Sequence, residues 1–170
     1  EIVGLIASSL AYGRVSQIIR STGRVLEKIG RSPRAFLEDT DEVKLKGAFS
    51  GFKHRFTTDS ELVDLLLGIQ GAVRGYGSLE ACFLAGLSRG DETTIPALSA
   101  FTREIRIRTG DQYNSLIPQP TKKSACKRLH LFLRWMIRSD EIDPGVWTSV
   151  PPAKLVVPLD THLHRICRSL

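Results

Sequence analysis

The chain has 170 residues, of which 42% are hydrophobic, and its 24 lysines and arginines against 18 acids give a formal net charge of +6. This length and apolar content predict one globular domain with a core of its own and exclude a disordered chain. No apolar run approaches the roughly 20 residues that cross a bilayer, so the sequence predicts no membrane association. The basic excess is typical of proteins with polyanionic partners.

Three cysteines, Cys82, Cys126 and Cys167, are widely spaced along the chain. No pair has the spacing of a metal site, so we expect buried, reduced thiols in a cytoplasmic protein, with no metal bound. Helical patterns run into both ends of the sequence. We therefore expect a single helical domain, 1–170, that is a fragment lacking both ends of its helical core and that acts as a monomer.

Apolar residues recur at helical spacing through the first two thirds of the chain. Predicted helices cover 1–13, 14–30, 32–38, 59–77, 78–88 and 95–110. Gly30 is predicted to end the second helix, and Asp59 or Ser60 to cap the fourth. Residues 44–58 predict a loop with one helical turn. Only 154–157, Lys-Leu-Val-Val, reads as a strand, so the predicted class is all-α.

Residues 121–138 form the clearest predicted helix. Its apolar face comprises Ala125, Leu129, Phe132, Leu133 and Met136. The opposite face comprises Lys123, Lys127, Arg134 and Arg138, and the apolar stripe is flanked by Arg128 and Trp135. No acid occurs between Lys122 and Arg138. This basic face is either the solvated side of a core helix or a surface that binds phosphates.

A carboxylate, Asp160, follows the apolar segment Val-Val-Pro-Leu (156–159) and directly precedes a predicted helix. Capping that helix is the ordinary role of such an aspartate. A catalytic role is the alternative, and it requires a second functional element near Asp160.

A candidate for that element is 116–125, Leu-Ile-Pro-Gln-Pro-Thr-Lys-Lys-Ser-Ala, which predicts a tight hairpin. Its residues 117–125 align without a gap with the Leu-Pro-Gly-Val-Gly-x-Lys-Thr-Ala hairpin of the helix-hairpin-helix DNA glycosylases. The segment 157–166, Val-Pro-Leu-Asp-Thr-His-Leu-His-Arg-Ile, resembles their Val-Asp-Thr-His motif, and 1–18 is similar to the helix that opens their core. More closely, 124–138, 143–147 and 158–166 resemble a bacterial family of unknown function within that superfamily.

The resemblance implies a helix-hairpin-helix glycosylase-like fold and excision of a damaged or mispaired base, with or without a lyase step. It implies Asp160 as the essential carboxylate and Lys123 as the nucleophile, with Lys127, one turn further on, as the alternative. DNA is the implied partner, and RNA remains open. The residues expected to contact nucleic acid are Lys122, Lys123, Lys127, Arg128, Arg134, Arg138, His162 and Arg165. No cofactor is predicted, and the iron–sulfur cluster of some relatives uses cysteines beyond the segment that matches here.

The chemistry explains why Asp160 is singled out. Base excision builds positive charge on the sugar ring, and a carboxylate near C1′ stabilises that charge. Phe132, Trp135 and Trp147 are candidates to receive an extruded base, or else are ordinary core aromatics.

The chain departs from the glycosylase pattern in two places, and the first of them favours a function without catalysis. Gln119, Pro120 and Thr121 replace the glycines whose backbone N–H groups approach a phosphate, and proline has no N–H. The stretch 139–154 is an insert between the hairpin with its basic helix (116–138) and the Asp-bearing segment (155–170). A non-catalytic nucleic-acid-binding module is therefore the alternative function, and a basic helix that faces an acidic protein is the third.

Overall fold

The structure, a computed structural model, describes residues 1–107, 113–122, 124–159 and 161–169, with the side chains of 161–164 left out. Within these ranges the chain is mostly helical, with one two-stranded hairpin, so the predicted all-α class is confirmed. The elements are α1 (Ile2–Ser9), α2 (Val15–Ile29), α3 (Pro33–Asp39), α4 (Glu42–Phe49), β1 (Lys53–His54), β2 (Thr57–Thr58), α5 (Asp59–Tyr76), α6 (Leu79–Leu84), α7 (Ile95–Arg106), α8 (Lys127–Ile137) and α9 (Thr161–Ser169). Single 3-10 turns lie at Pro120–Lys122 and Pro152–Lys154.

The centre of the fold is α5, which packs against α3, α4, α6 and α7. Its first turn is held by a capping box, because the Thr58 hydroxyl accepts from the Glu61 amide while the Glu61 carboxylate accepts from the Thr58 amide. The predicted helix 59–77 is thus confirmed, but its cap is Thr58. The predicted cap Asp59 instead accepts from the backbone amide of Gly51 at 2.8 Å.

A close approach of two helices fixes the position of α7 on α5. Gly68 is buried where α5 meets α7, and a Cβ atom there would lie 2.1 Å from the carbonyl oxygen of Ile105. Only glycine permits this backbone contact.

The second half of the core surrounds Phe132 of α8, which packs on α1. The Phe132 ring meets Trp147 at 5.2 Å between centroids, and Trp147 meets Phe83 at 5.4 Å. The Trp147 indole N–H also donates to the carboxylate of Glu1 at 3.1 Å. Phe132 and Trp147 are therefore core aromatics and not receivers of a base, while Trp135 is half-buried.

Several predicted boundaries were wrong. Residues 44–58 form most of α4 and the hairpin β1–β2, and 154–157 contain no strand. Strands of two residues are too short to show the alternation that identifies a strand. The first helix ends at Ser9 instead of residue 13, and the predicted helix 78–88 is only Leu79–Leu84 long.

All three cysteines are free thiols. Cys82 and Cys126 are buried as predicted, and burial raises the pKa of Cys82 to about 12. Cys167 is exposed on α9, so the prediction of a buried thiol was wrong there. Among the described helices, none combines the length and apolar character needed to cross a membrane.

Candidate functional site

The segment predicted to be a hairpin, 116–125, is buried in the core at its first residues and exposed to solvent further along. Leu116 and Ile117 are buried, whereas Thr121 and Lys122 are exposed in a 3-10 turn in which the Lys122 amide donates to the Gln119 carbonyl at 3.1 Å. Lys123 lies outside the described residues. The segment therefore bends as a turn, with Lys122 available at its surface.

The helix after this turn begins later than predicted. The backbone at Cys126 is left-handed, with φ of 46°, and α8 starts at Lys127 instead of residue 121. The Cys126 thiol donates to the Pro118 carbonyl at 3.7 Å, and this contact closes the turn. Ala125 is exposed and is not part of the apolar face, while Leu129, Phe132, Leu133 and Met136 are buried as predicted.

The C-terminal half of the predicted basic face is paired with acids from the insert. The buried Asp143 carboxylate accepts from Arg134 Nε at 2.7 Å and lies 3.7 Å from Arg138 Nε. Arg138 Nη2 also lies 2.6 Å from the Asp140 carboxylate. Backbone N–H groups of Asp143 and Ile142, together with Arg138, lower the pKa of Asp140. Arg134 and Arg138 are thus paired with acids on a face of α8 that remains solvated, since their side chains are 45% and 47% exposed.

The backbone of the insert is also hydrogen-bonded to the C-terminal end of α8. The amides of Gly145 and Trp147 donate to the carbonyls of Trp135 and Met136 at 3.0 and 2.7 Å. Gly145 has a φ of 56°, and a Cβ atom would lie 2.5 Å from that of Ser139. The insert therefore satisfies carbonyls that a helix end leaves without partners.

Arg128 is turned towards the protein interior. Its guanidinium donates to the carbonyls of Ser9 and Ser115 and lies over the Tyr12 ring, 4.7 Å from the centroid. Partial burial lowers its pKa. Arg128 ties α8 to the loop after α1, so the structure gives it a packing role where the sequence predicts a phosphate contact.

A cavity of about 480 Å³ lies between α8 and residues 152–158. Its α8 side consists of Lys127, Arg128, His130, Leu131, Arg134 and Arg138. Its other side consists of Ala11, Pro152, Leu155, Val156, Val157 and Pro158. This size and mainly apolar lining are typical of small-molecule and nucleobase pockets. Val157 is 76% exposed, so the apolar run before Asp160 forms an open lip of the cavity and not a buried strand.

His130 is the residue of this cavity that sequence reasoning missed. Its side chain is 8% exposed, and its Nδ1 atom is buried without a hydrogen-bond partner among the described residues. Burial lowers the pKa of the imidazole, which favours its neutral form. One signal in the sequence could have identified it: His130 directly follows Leu129 of the apolar face, which predicts that it is buried. Because Nδ1 itself has almost no accessible surface, it faces the packed protein and not the open cavity.

Of the three residues with predicted catalytic roles, the structure describes Lys127 but not Asp160 or Lys123. Asp160 and Lys123 lie outside the described residues, as does the side chain of His162. Asp160 comes two residues after Pro158 of the cavity wall and directly before α9, which starts at Thr161. Arg165 is exposed on α9. One cavity is therefore lined both by Lys127 and by Pro158, which lies two residues before Asp160 in the sequence.

Comparisons with known proteins identify a family without a known activity. A family model described as protein of unknown function, DUF2400, matches residues 1–170, so the chain belongs to this family. No curated protein and no solved structure matches the chain.

Proposed function

We propose that this protein is a base-excision DNA glycosylase whose cavity beside α8 receives an extruded nucleobase. The observation that carries the proposal is that Lys127 and Pro158, which precedes Asp160 by two residues, line the same cavity. A carboxylate and an amine near one pocket are the groups that glycosylase and lyase chemistry requires.

Each group then has a distinct role. The apolar wall of Leu131, Leu155 and Val156 packs against the faces of the base. Asp160 stabilises the positive charge that develops on the sugar. Lys123 or Lys127 either attacks C1′ or contacts a phosphate, and Lys122 binds the backbone of the DNA.

A non-catalytic nucleic-acid-binding protein is the second candidate function, and the turn before α8 favours it. Pro120 provides no N–H group at the turn where the glycosylases bind a phosphate. Both candidates place the protein on nucleic acid, and we propose that it acts in the cytoplasm as a monomer.

The experiment that separates the two candidates is incubation with duplexes that each carry one damaged or mispaired base, followed by detection of abasic product. The glycosylase proposal expects release from at least one duplex and loss of release by orders of magnitude in Asp160→Asn. Asparagine also caps helices, so the variant should keep the stability of the wild type. Binding without release from any duplex would favour the second candidate.

A further inference from the structure

A second cationic surface lies on α2 and the β1–β2 hairpin. It comprises five exposed cations and one aromatic residue: Arg20, Arg24, Lys28, Lys53, Arg55 and Phe56. Two neighbouring concavities of about 140 and 130 Å³ share Arg24, and neither is lined by an acid. We name this set the α2–hairpin surface.

The positive charge of this surface is not neutralised by described residues. None of its five cations forms an ion pair with an acid in the described ranges, in contrast to Arg134 and Arg138. Arg24 and Lys28 instead donate to the carbonyls of Lys53 and Ala48. These two side chains are positioned by neutral acceptors and keep their charge available, which favours an anionic partner.

The aromatic residue of the surface, Phe56, packs on a second aromatic ring that is itself held by hydrogen bonds. Phe56 is 61% exposed and stacks on Tyr12 at 4.9 Å between centroids. The Tyr12 hydroxyl donates to the His54 carbonyl at 2.8 Å, and the Arg128 guanidinium lies over the same ring. His54 in turn bonds Ser21 of α2 through Nδ1 at 2.9 Å. The exposed Phe56 ring is therefore held on an ordered stack instead of folding onto the surface.

The turn that carries Phe56 is strained. Arg55 has a φ of 55°, a left-handed conformation that glycine adopts without cost and that other residues adopt at about 1–2 kcal/mol. Gly13 makes room for the side chain, because a Cβ atom at Gly13 would lie 2.7 Å from Arg55 Cδ. An arginine in a left-handed conformation, with space for its side chain beside Gly13, supports a role of its guanidinium in binding a ligand.

We propose that the α2–hairpin surface binds a single strand of nucleic acid, with phosphates along α2 and an unpaired base stacked on Phe56. Arg20, Arg24 and Lys28 follow one another at intervals of four residues along α2. They cover about 12 Å at 1.5 Å per residue, which is the length of about three or four stacked nucleotides.

The exposed aromatic ring decides between strand and duplex. A cationic groove with a stacking aromatic is how proteins bind single strands without sequence preference. A paired duplex offers no base face to Phe56. The inference deepens the proposed function, and it rests on that proposal only for the class of partner. Of the residues it uses, Arg128 alone also lines the cavity, and Arg128 is there only a support of the Tyr12 ring.

The test is the affinity of the protein for a labelled oligothymidylate across a salt series, measured by fluorescence anisotropy. Arg20→Gln/Arg24→Gln should flatten the slope of log affinity against log salt by about 1.4. Phe56→Ala should weaken binding roughly 5- to 150-fold, and Phe56→Trp should restore it. Arg55→Gly should weaken binding without loss of thermal stability, since glycine suits the turn.

Two further pairs make the result specific. Arg89→Gln/Arg103→Gln removes the same charge from exposed positions elsewhere and should leave the slope within error of the wild type. Lys122→Gln/Lys127→Gln removes one cation from the turn before α8 and one from the cavity wall. If only this last pair weakens binding, the α2–hairpin surface is not the strand site, although the proposed function stands.

Other outcomes also decide the proposal. Equal effects of all three double variants would mean that net charge alone attracts the strand, and the proposal would fail. Binding to vesicles of anionic lipid but to no oligonucleotide would overturn both this inference and the proposed function. Arg20 and Arg24 are exposed, so their variant tests the surface even if Phe56→Ala unfolds.

Discussion

The Asp143 carboxylate is completely buried, and its Oδ2 atom accepts a hydrogen bond from Arg134 Nε at 2.7 Å. This pair joins the insert to the exposed side of α8, where the sequence shows only basic residues. Its effect is to remove positive charge from the rim of the cavity. A nucleic acid that used this rim would compete with Asp143 for Arg134.

Asp143→Asn should therefore have opposite effects on stability and binding. Loss of the charged hydrogen bond should lower the free energy of unfolding by about 1–3 kcal/mol. The released Arg134 should add about 0.9 to the steepness of the salt dependence of duplex binding, if DNA reaches the rim. Urea unfolding and anisotropy titrations measure the two effects.

The exposed neighbour Glu141 provides the control, since Glu141→Gln removes one negative charge from the same loop without releasing an arginine. An equal gain in affinity for both variants would show that the pair with Arg134 has no special effect.

Gly68→Ala should destabilise the fold by about 1–3 kcal/mol or more, because its Cβ would overlap the Ile105 carbonyl where α7 crosses α5. Gly75→Ala is the matched control on the same helix, since a Cβ there meets nothing within 4 Å. Alanine has the higher helix propensity, so this control should stabilise the protein by up to about 1 kcal/mol. Thermal unfolding of both variants measures the difference, and similar melting temperatures would contradict the close approach.

How far the sequence predicts this fold depends on the range of the interactions involved. The central helix, α5, was predicted to within a residue because its apolar period and its glycine stop are local signals. The start of α8 was missed because Cys126 adopts a left-handed conformation that usually marks glycine or asparagine. The hairpin was missed because Arg55 and Phe56 occupy its turn in place of Asn-Gly.

The candidate site was predicted less completely than the fold. The apolar face of α8 follows from periodicity. The pair of Asp143 and Arg134 could not be predicted, because it forms only when the insert folds back onto α8, and no local pattern indicates that fold. His130 lies on the α8 side of a cavity whose other side is formed by residues more than twenty positions away. The α2–hairpin surface combines two segments whose contact depends on the buried pair His54 and Ser21.

His130 should make the protein less stable as the pH falls. Its pKa in the folded state is lowered by burial, whereas the unfolded residue takes up a proton near its ordinary pKa of about 6.5. Below that pH the unfolded state binds the proton first, so stability is complete above about pH 6.5 and is lost towards the lower folded pKa. His130→Leu should remove this component and also the unpaired Nδ1. Urea unfolding from about pH 7 to about pH 5 should show the variant gaining stability relative to the wild type; parallel curves would refute the titration of His130.

The identity of the nucleophile decides the type of reaction. If a lysine attacks C1′, the intermediate is a Schiff base, and borohydride should convert it to a covalent protein–DNA adduct. Lys123→Ala should then abolish the adduct while binding remains, because one phosphate contact among several is a modest loss. Loss of the adduct only in Lys127→Ala would assign the attack to the first residue of α8, which lines the cavity. Lys122→Ala is the control, since Lys122 is exposed in the preceding turn, and it should reduce the adduct in neither case. Base release without any adduct would make water the nucleophile, with both lysines as phosphate contacts and Asp160 as the essential group.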